Sequence, residues 1–238
     1  LRSLLFALLM APSTVVFGVA SLFTFPFPFE VRYRFITGWT RLNLWWLQKA
    51  CRLGFRVHGL EHIPAQNAII LCKHQSAWET MALQLIFPPQ VYVLKRELLW
   101  IPFFGWGLSL VEPIAIDRKT GRKALQQLLA QGLQRLKAGR WIVIYPEGTR
   151  VKPGEKGSYG IGGAWLAARS GYPVVPVAHN AGEFWPRRSF IKYPGTIDLV
   201  IGPAIESRGR KATDINALAE QWIEQTVARI SPATRGPG

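Results

Sequence analysis

The chain is 238 residues long, carries 29 Lys and Arg against 14 Asp and Glu for a formal net charge of +15, and is 49% hydrophobic with ten Trp and thirteen Phe. That size suits one domain with a sizeable core, and two cysteines exclude a disulfide scaffold. The charge calls for an anionic partner, a membrane surface, nucleic acid or a phosphorylated substrate, and the apolar excess favours the membrane.

No residue from Ser3 to Phe29 is charged, and about 20 helical residues cross the roughly 30 Å hydrocarbon core of a bilayer. Pro12, Pro26 and Pro28 argue against one unbroken helix over the whole run. A single span from about Thr14 and a bent pair dipping into one leaflet both remain open. A signal peptide cleaved near Gly18-Val19-Ala20 competes with them, but only Arg2 supplies a basic start. Next come Arg32, Arg34, Arg41, Lys49, Arg52 and Arg56, interleaved with Trp39, Trp45 and Trp46. This is the composition of an interfacial segment kept on the cytoplasmic side by the positive-inside bias. Each basic group contributes on the order of 1 kcal/mol at an anionic leaflet. Single-stranded nucleic acid attracts the same mixture, yet nothing here resembles a nucleic-acid module, and no nucleic-acid partner is expected. Residues 1–50 therefore read as an anchor, 51–231 as the folded domain, and the Gly- and Pro-rich residues 232–238 as a loose tail.

After Gly59 the chain alternates, with strand-like runs near 67–72, 91–95, 113–117, 141–145, 174–178 and 197–201. Between them, Arg122 to Ala138 is a helix with Leu125, Leu128, Leu129 and Leu136 on one face, and Asp214 to Ile230 is a closing helix with Ile215, Leu218, Trp222, Ile223 and Val227 inward. Such alternation predicts an α/β fold with a mixed, mainly parallel sheet flanked by helices, preceded by a membrane-embedded helical segment.

Two strand ends carry chemistry. The first run finishes in Cys72-Lys73-His74-Gln75-Ser76-Ala77-Trp78-Glu79, and the carboxyl end of a parallel strand is where ligands bind in such sheets. Ser76 and Glu79 have the spacing of a capping box, which satisfies backbone donors and needs no catalysis. Glu79 is also the only carboxylate close to His74 in sequence, and imidazole suits proton transfer near neutral pH. The run Trp141 to Ile144 ends in Tyr145-Pro146-Glu147-Gly148-Thr149-Arg150. Gly148 admits a ligand to the backbone, Thr149 offers a hydroxyl, and Arg150 carries a planar fork suited to phosphate. Cys72 reads as a core hydrophobe, with an acyl-carrying nucleophile as the alternative. No spacing resembles a metal site, there is no Gly-x-Ser-x-Gly elbow, and no cofactor is expected.

His74 with Glu79 five residues on, followed by Glu147-Gly148-Thr149-Arg150, resembles the glycerolipid acyltransferase family. Lys95 to Gly105 with Ile116-Asp117-Arg118, Val175-Pro176-Val177, and Gly59 to Pro64 resemble its other blocks. The resemblance covers roughly residues 55 to 205. The family carries aspartate where Glu79 stands, and often a lysine where Gly160 follows Tyr159. What the resemblance implies is a membrane enzyme, of the bacterial inner membrane with its catalytic domain on the cytoplasmic side. It would acylate the sn-2 hydroxyl of 1-acylglycerol-3-phosphate from acyl-CoA or acyl carrier protein, giving phosphatidate. His74 and Glu79 would form its catalytic dyad. Lys95, Arg118, Glu147, Gly148, Thr149 and Arg150 would bind substrate, with Glu147 orienting Arg150 or bonding the glycerol. Amides near the helix start after His74 are the expected oxyanion donors, and Phe103, Phe104 and Trp106 the expected walls of an acyl channel. Another lyso-lipid acceptor, such as a lyso-ornithine lipid, and a non-catalytic lipid-binding module are the competing readings.

Overall fold

The computed structural model describes residues 1–117 and 120–231. Its centre is a seven-stranded sheet in the order β1-β7-β6-β2-β5-β3-β4. The strands are β1 (Leu53–His58), β2 (Ile69–Cys72), β3 (Gln90–Lys95), β4 (Ile114–Ile116), β5 (Trp141–Ile144), β6 (Val174–His179) and β7 (Gly195–Ile201). Every neighbouring pair is parallel except β6 with β7, so the sheet is mixed and mainly parallel. β1 was not expected as a strand. Its interleaved Gly54, Arg56 and His58 suit an edge strand exposed on one face, and they read in sequence as part of the basic segment.

Among the described residues eight α-helices complete the fold: α1 (Arg2–Leu22), α2 (Phe29–Cys51), α3 (Trp78–Ile86), α4 (Phe104–Leu110), α5 (Arg122–Lys137), α6 (Gly162–Ser170), α7 (Ala181–Phe184) and α8 (Ala212–Ile230). The alternation of strand residues sorts them onto two faces. Ile70, Cys72, Val143 and Tyr145 pack with Phe6, Leu47, Met81 and Leu83 of α1, α2 and α3. Ile69, Leu71, Ile142 and Ile144 pack with Leu128, Leu166 and Ile223 of α5, α6 and α8. All eight of these residues, seven in strands and Tyr145 just after β5, are under 9% exposed, and each buried aliphatic side chain contributes about 1.5–3 kcal/mol. α8 buries Ile215, Ala219, Ile223 and Val227 at four-residue steps. Leu218, expected inward, falls off that stripe and is exposed.

α1 runs unbroken through Pro12, contrary to the expectation that this proline would interrupt it. Pro12 removes one backbone donor, and with it the helical bond to the Leu8 carbonyl, and the helix absorbs that single loss. The chain turns at Phe23–Pro28, and α2 then packs back along α1. α1 is long and apolar enough to cross a membrane by length and composition. Phe23 and Phe25 of the turn are 78% and 70% exposed, and Trp100, at the end of the 3₁₀ helix Arg96–Trp100 before α4, is 79% exposed; aromatics left in the open like this mark a surface that meets something apolar. α1 is also part of the fold: Phe6 is fully buried against Trp185, and Gly18 lies on the Phe103 backbone, where an added Cβ would come 2.5 Å from the carbonyl oxygen.

Candidate active site

After β2 the chain passes to α3 on one face of the sheet, and after the adjacent β5 it passes to α6 on the other. A crevice opens where neighbouring strands diverge in this way. His74 follows β2 and Glu147–Arg150 follow β5, so both sequence motifs meet in that crevice. The two loops are stitched together at His74. Its N–H donates to Glu147 Oε2 at 2.9 Å, and its carbonyl accepts the Val151 N–H at 2.9 Å.

His74 Nδ1 lies 2.8 Å from Glu79 Oε1. The same carboxylate accepts the N–H groups of Gln75 and Ser76 at 3.0 and 2.9 Å. One carboxylate therefore both engages the amides before α3 and holds the imidazole. Its longer arm still meets the imidazole because the carboxylate folds back over the start of α3, where the Ser76 hydroxyl accepts the Trp78 N–H. Glu79 is fully buried. Burial by itself would push its carboxyl up, but the imidazoles of His179 and His74 and the Ser76 amide outweigh it and hold it below the usual carboxylate range. An ionised Glu79 fixes His74 as the Nδ1–H tautomer and leaves Nε2 as the ring nitrogen available to the cavity that His74 lines. Tyr145 stacks on the imidazole at 4.0 Å between centroids, with an interplanar angle of 16°. The amides expected as oxyanion donors after His74 are not free for that use, because Glu79 and Ser76 already engage those of Gln75, Ser76 and Trp78.

Beneath the dyad lies a buried ionic network. Lys73 is completely buried, and its Nζ donates to Glu147 Oε1 and Glu224 Oε1, each at 2.8 Å. Tyr159 donates to the same Glu224 oxygen at 2.7 Å. Glu147, expected to orient Arg150 or hold glycerol, instead has both oxygens engaged by the protein, Oε1 by Lys73 and Oε2 by the His74 amide. A side chain this buried is more useful holding the histidine loop than reaching substrate. His179 is also structural: Nε2–H donates to the Lys73 carbonyl at 2.8 Å and Nδ1 accepts the Ala181 N–H at 3.2 Å, the pattern of a neutral ring. Burial pushes its pKa down, in agreement. Lys73, Tyr159, His179 and Glu224 were missed in the sequence. Lys73, charged at the end of an apolar strand, was the one visible signal.

Above the dyad is a cavity of about 480 Å³, within the range of small-molecule pockets. Its apolar walls come from α1, α2 and α4, including Met10, Phe17, Trp39, Phe103 and Phe104. Trp106, expected among them, points outward at 39% exposure. Thr40 and Gln84, hydrogen bonded to each other at 3.0 Å, also line the cavity. His74, Lys95, Gly148, Thr149 and Arg150 line it, with Arg187 and Arg188, which sequence reasoning did not single out. The Pro186-Arg187-Arg188 step beside Trp185 was their only trace. Among the described residues no carboxylate pairs with any of these four cations. Arg150 Nε is buried without a hydrogen-bond partner, and Arg187 braces the loop by donating to the Arg150 carbonyl at 2.8 Å. Gly148 takes φ +66°, a left-handed turn that swings Thr149 and Arg150 over the crevice and favours glycine there. Arg118 lies outside the described residues.

Residues 54–180 match the sequence profile of the family described as acyltransferase, just over half of the chain. The chain belongs to the acyltransferase family. This acyltransferase is 48% identical over 98% of its length to a 1-acyl-sn-glycerol-3-phosphate acyltransferase of Pseudomonas aeruginosa, 92% of which it covers. It is 29% identical over 83% of its length to the alpha 1-acyl-sn-glycerol-3-phosphate acyltransferase of Bos taurus, covering 71% of that protein. Its fold matches the crystal structure of the 1-acyl-sn-glycerophosphate acyltransferase of Thermotoga maritima with a TM-score of 0.80, covering 96% of this chain and 94% of the other at 22% identity.

Proposed function

We propose that the protein transfers a fatty acyl group from an acyl thioester to the sn-2 hydroxyl of 1-acylglycerol-3-phosphate, giving phosphatidate for phospholipid synthesis. The observation that carries this reading is one cavity holding a carboxylate-bound histidine, an unpaired arginine and apolar walls.

In this reading the acceptor's phosphate meets Arg150, with Lys95, Arg187 and Arg188 around it. Arginine suits the task because its fork binds two oxygens at once. The glycerol hydroxyl gives its proton to His74 Nε2 as its oxygen attacks the thioester carbonyl, and the Nδ1–H bond to ionised Glu79 stabilises the imidazolium that forms. Collapse of the tetrahedral intermediate breaks the carbon–sulfur bond. The thiolate takes the proton back from Nε2, and phosphatidate and free thiol leave. The enzyme carries no acyl group between steps. Cys72 is fully buried, and burial, reinforced by the carboxylates of Glu79 and Glu147, keeps its thiol well above the ordinary range, so it is a poor nucleophile.

A phosphate-free acceptor such as a lyso-ornithine lipid would bring a single carboxylate to the four cations of Lys95, Arg150, Arg187 and Arg188, which suit a phosphate better, and a non-catalytic module would not need Glu79 to hold the imidazole at 2.8 Å. The exposed apolar α1–α2 turn supports a membrane-held enzyme, and the basic residues of α2 support a cytoplasmic face of the inner membrane. The test is acyl transfer by the purified protein from acyl-CoA and from acyl carrier protein to a panel of lyso-lipids. A product confined to phosphatidate supports the reading. Acylation of phosphate-free acceptors with equal efficiency, or of none, overturns it.

A further inference from the structure

The connection from α7 to β7, residues 185–194, leaves apolar side chains in the open. Phe190, Ile191 and Tyr193 are 57%, 52% and 49% exposed, and a soluble surface scatters such residues singly instead of grouping them. The loop that carries them is tightly held. Ser189 Oγ accepts the Ile191 N–H at 3.0 Å and donates to the Ile191 carbonyl at 3.1 Å, and the Tyr193 N–H donates to the Phe184 carbonyl at 2.8 Å. Between the exposed side chains, Lys192 turns inward and is buried. Its Nζ donates to the Phe190 carbonyl at 2.7 Å, and the ring centroids of Trp185, Phe190 and Phe6 lie 4.7, 5.1 and 5.3 Å from it. A cation enclosed by ring faces fixes the backbone on either side of it, so the loop presents its apolar residues outward in a set shape.

Continuity and charge identify what covers this patch. The Lys192 N–H donates to Ser3 Oγ at 2.9 Å, which seats the loop on α1 beside the exposed Leu4, Leu5 and Leu8. The patch therefore extends the apolar face of the helix that is long and apolar enough to enter a bilayer. Arg187 and Arg188 come just before the patch, both exposed and both lining the cavity that His74 lines. Basic residues beside aromatic and aliphatic ones are the composition that meets an anionic lipid surface.

We propose that the loop 186–193 is a second membrane contact, which inserts Phe190 and Ile191 into an anionic bilayer and opens the cavity to acceptor drawn from that leaflet. The α1–α2 turn lies about 30 Å away along α1, and contact there alone leaves the cavity mouth free to tilt from the bilayer. The loop removes that freedom, because its first residues line the mouth and its last ones make the contact. An acceptor that is anionic at one end and apolar along the rest then passes from the leaflet to Arg187 and Arg188 without crossing bulk water. The identity of that lipid rests on the acyl-transfer reading.

The experiment puts an environment-sensitive nitrobenzoxadiazole label on Ile191→Cys of the full-length protein, reconstituted in vesicles of phosphatidylethanolamine and phosphatidylglycerol. Cys51 and Cys72 are buried, so the introduced thiol takes the label. Ala217→Cys, exposed on α8 against the other face of the sheet, is the control. The expected result is blue-shifted emission at position 191 that doxyl-labelled lipids quench, with water-like, unquenched emission at position 217. Water-like, unquenched emission at position 191 overturns the proposal. The double variant I191S/Y193S, outside the cavity lining, should raise KM for long-chain lysophosphatidate in vesicles about tenfold. Its kcat, and its KM for a water-soluble short-chain lysophosphatidate, should stay unchanged. An unchanged KM in vesicles, or an equal rise for both acceptors, overturns the entry route. A label that inserts in a protein making no phosphatidate would uphold the contact and refute the acceptor. Phosphatidate made by a protein whose label stays in water would do the reverse.

Discussion

The floor and the rim of the site are both charged, and they treat charge in opposite ways. On the floor, Glu79, Glu147 and Lys73 are buried and each has at least two partners within 3.0 Å. On the rim, Lys95, Arg150, Arg187 and Arg188 face the cavity without a carboxylate among the described residues. Satisfied buried charge fixes geometry, and its removal leaves an uncompensated ion. Unsatisfied charge at the mouth of an apolar cavity awaits an anion. The difference separates the residues that hold the histidine from those proposed to hold substrate, although both sets lie in the same motifs.

The largest effect should come from the floor. Lys73→Met strands Glu147 and Glu224 without their cation, and thermal or denaturant unfolding should show a loss of about 3–5 kcal/mol. A variant as stable as the wild type would mean that the network is not ionised as drawn. Next comes Arg150→Ala on the rim, which should lower kcat/KM for lysophosphatidate about 10- to 100-fold, the weight of a charge-assisted hydrogen bond, and leave the melting temperature unchanged. Equal losses for phosphate-free acceptors would move Arg150 from rim to floor. Arg187→Ala, more exposed, should cost only a few-fold, and that cost should vanish at high salt. A salt-independent loss would show that its bond to the Arg150 carbonyl matters more than its charge. Cys72→Ala should keep nearly full activity, and a trapped acyl group on Cys72 would contradict direct transfer.

The alternating strands, the two polar strand ends and the helix after His74 were legible because each depends on local periodicity and spacing. Six of seven strands lie where apolar runs predict them. β1 escaped because an edge strand interleaves polar residues and loses its apolar signature. α1 continues through Pro12 at the loss of one backbone bond, where the proline rule led to the expectation of a break. The floor was hidden for a different reason. Glu224 lies 151 positions from Lys73, and only the packing of α8 against β6 and α6 brings them together. Glu147 was read as a substrate contact because its motif neighbours Thr149 and Arg150 face the cavity, yet the turn at Gly148 sends it to the other side. Capping and contact with His74 were set as rival readings of Glu79, yet one carboxylate makes both sets of hydrogen bonds.

The central claim is that an ionised Glu79 makes His74 a base, and the substitution that isolates charge from capping is Glu79→Gln. A glutamine carbonyl can still accept the Gln75 and Ser76 amides and the His74 Nδ1–H, so the start of α3 should hold to within about 1 kcal/mol. It supplies no negative charge to an imidazolium. Single-turnover transfer from acyl-CoA to lysophosphatidate, with unfolding measured on the same preparation, should show Glu79→Gln folded like the wild type but slower by about 10²- to 10⁴-fold. Near-normal turnover in a fully folded Glu79→Gln protein would contradict the account and leave Glu79 as a helix cap alone.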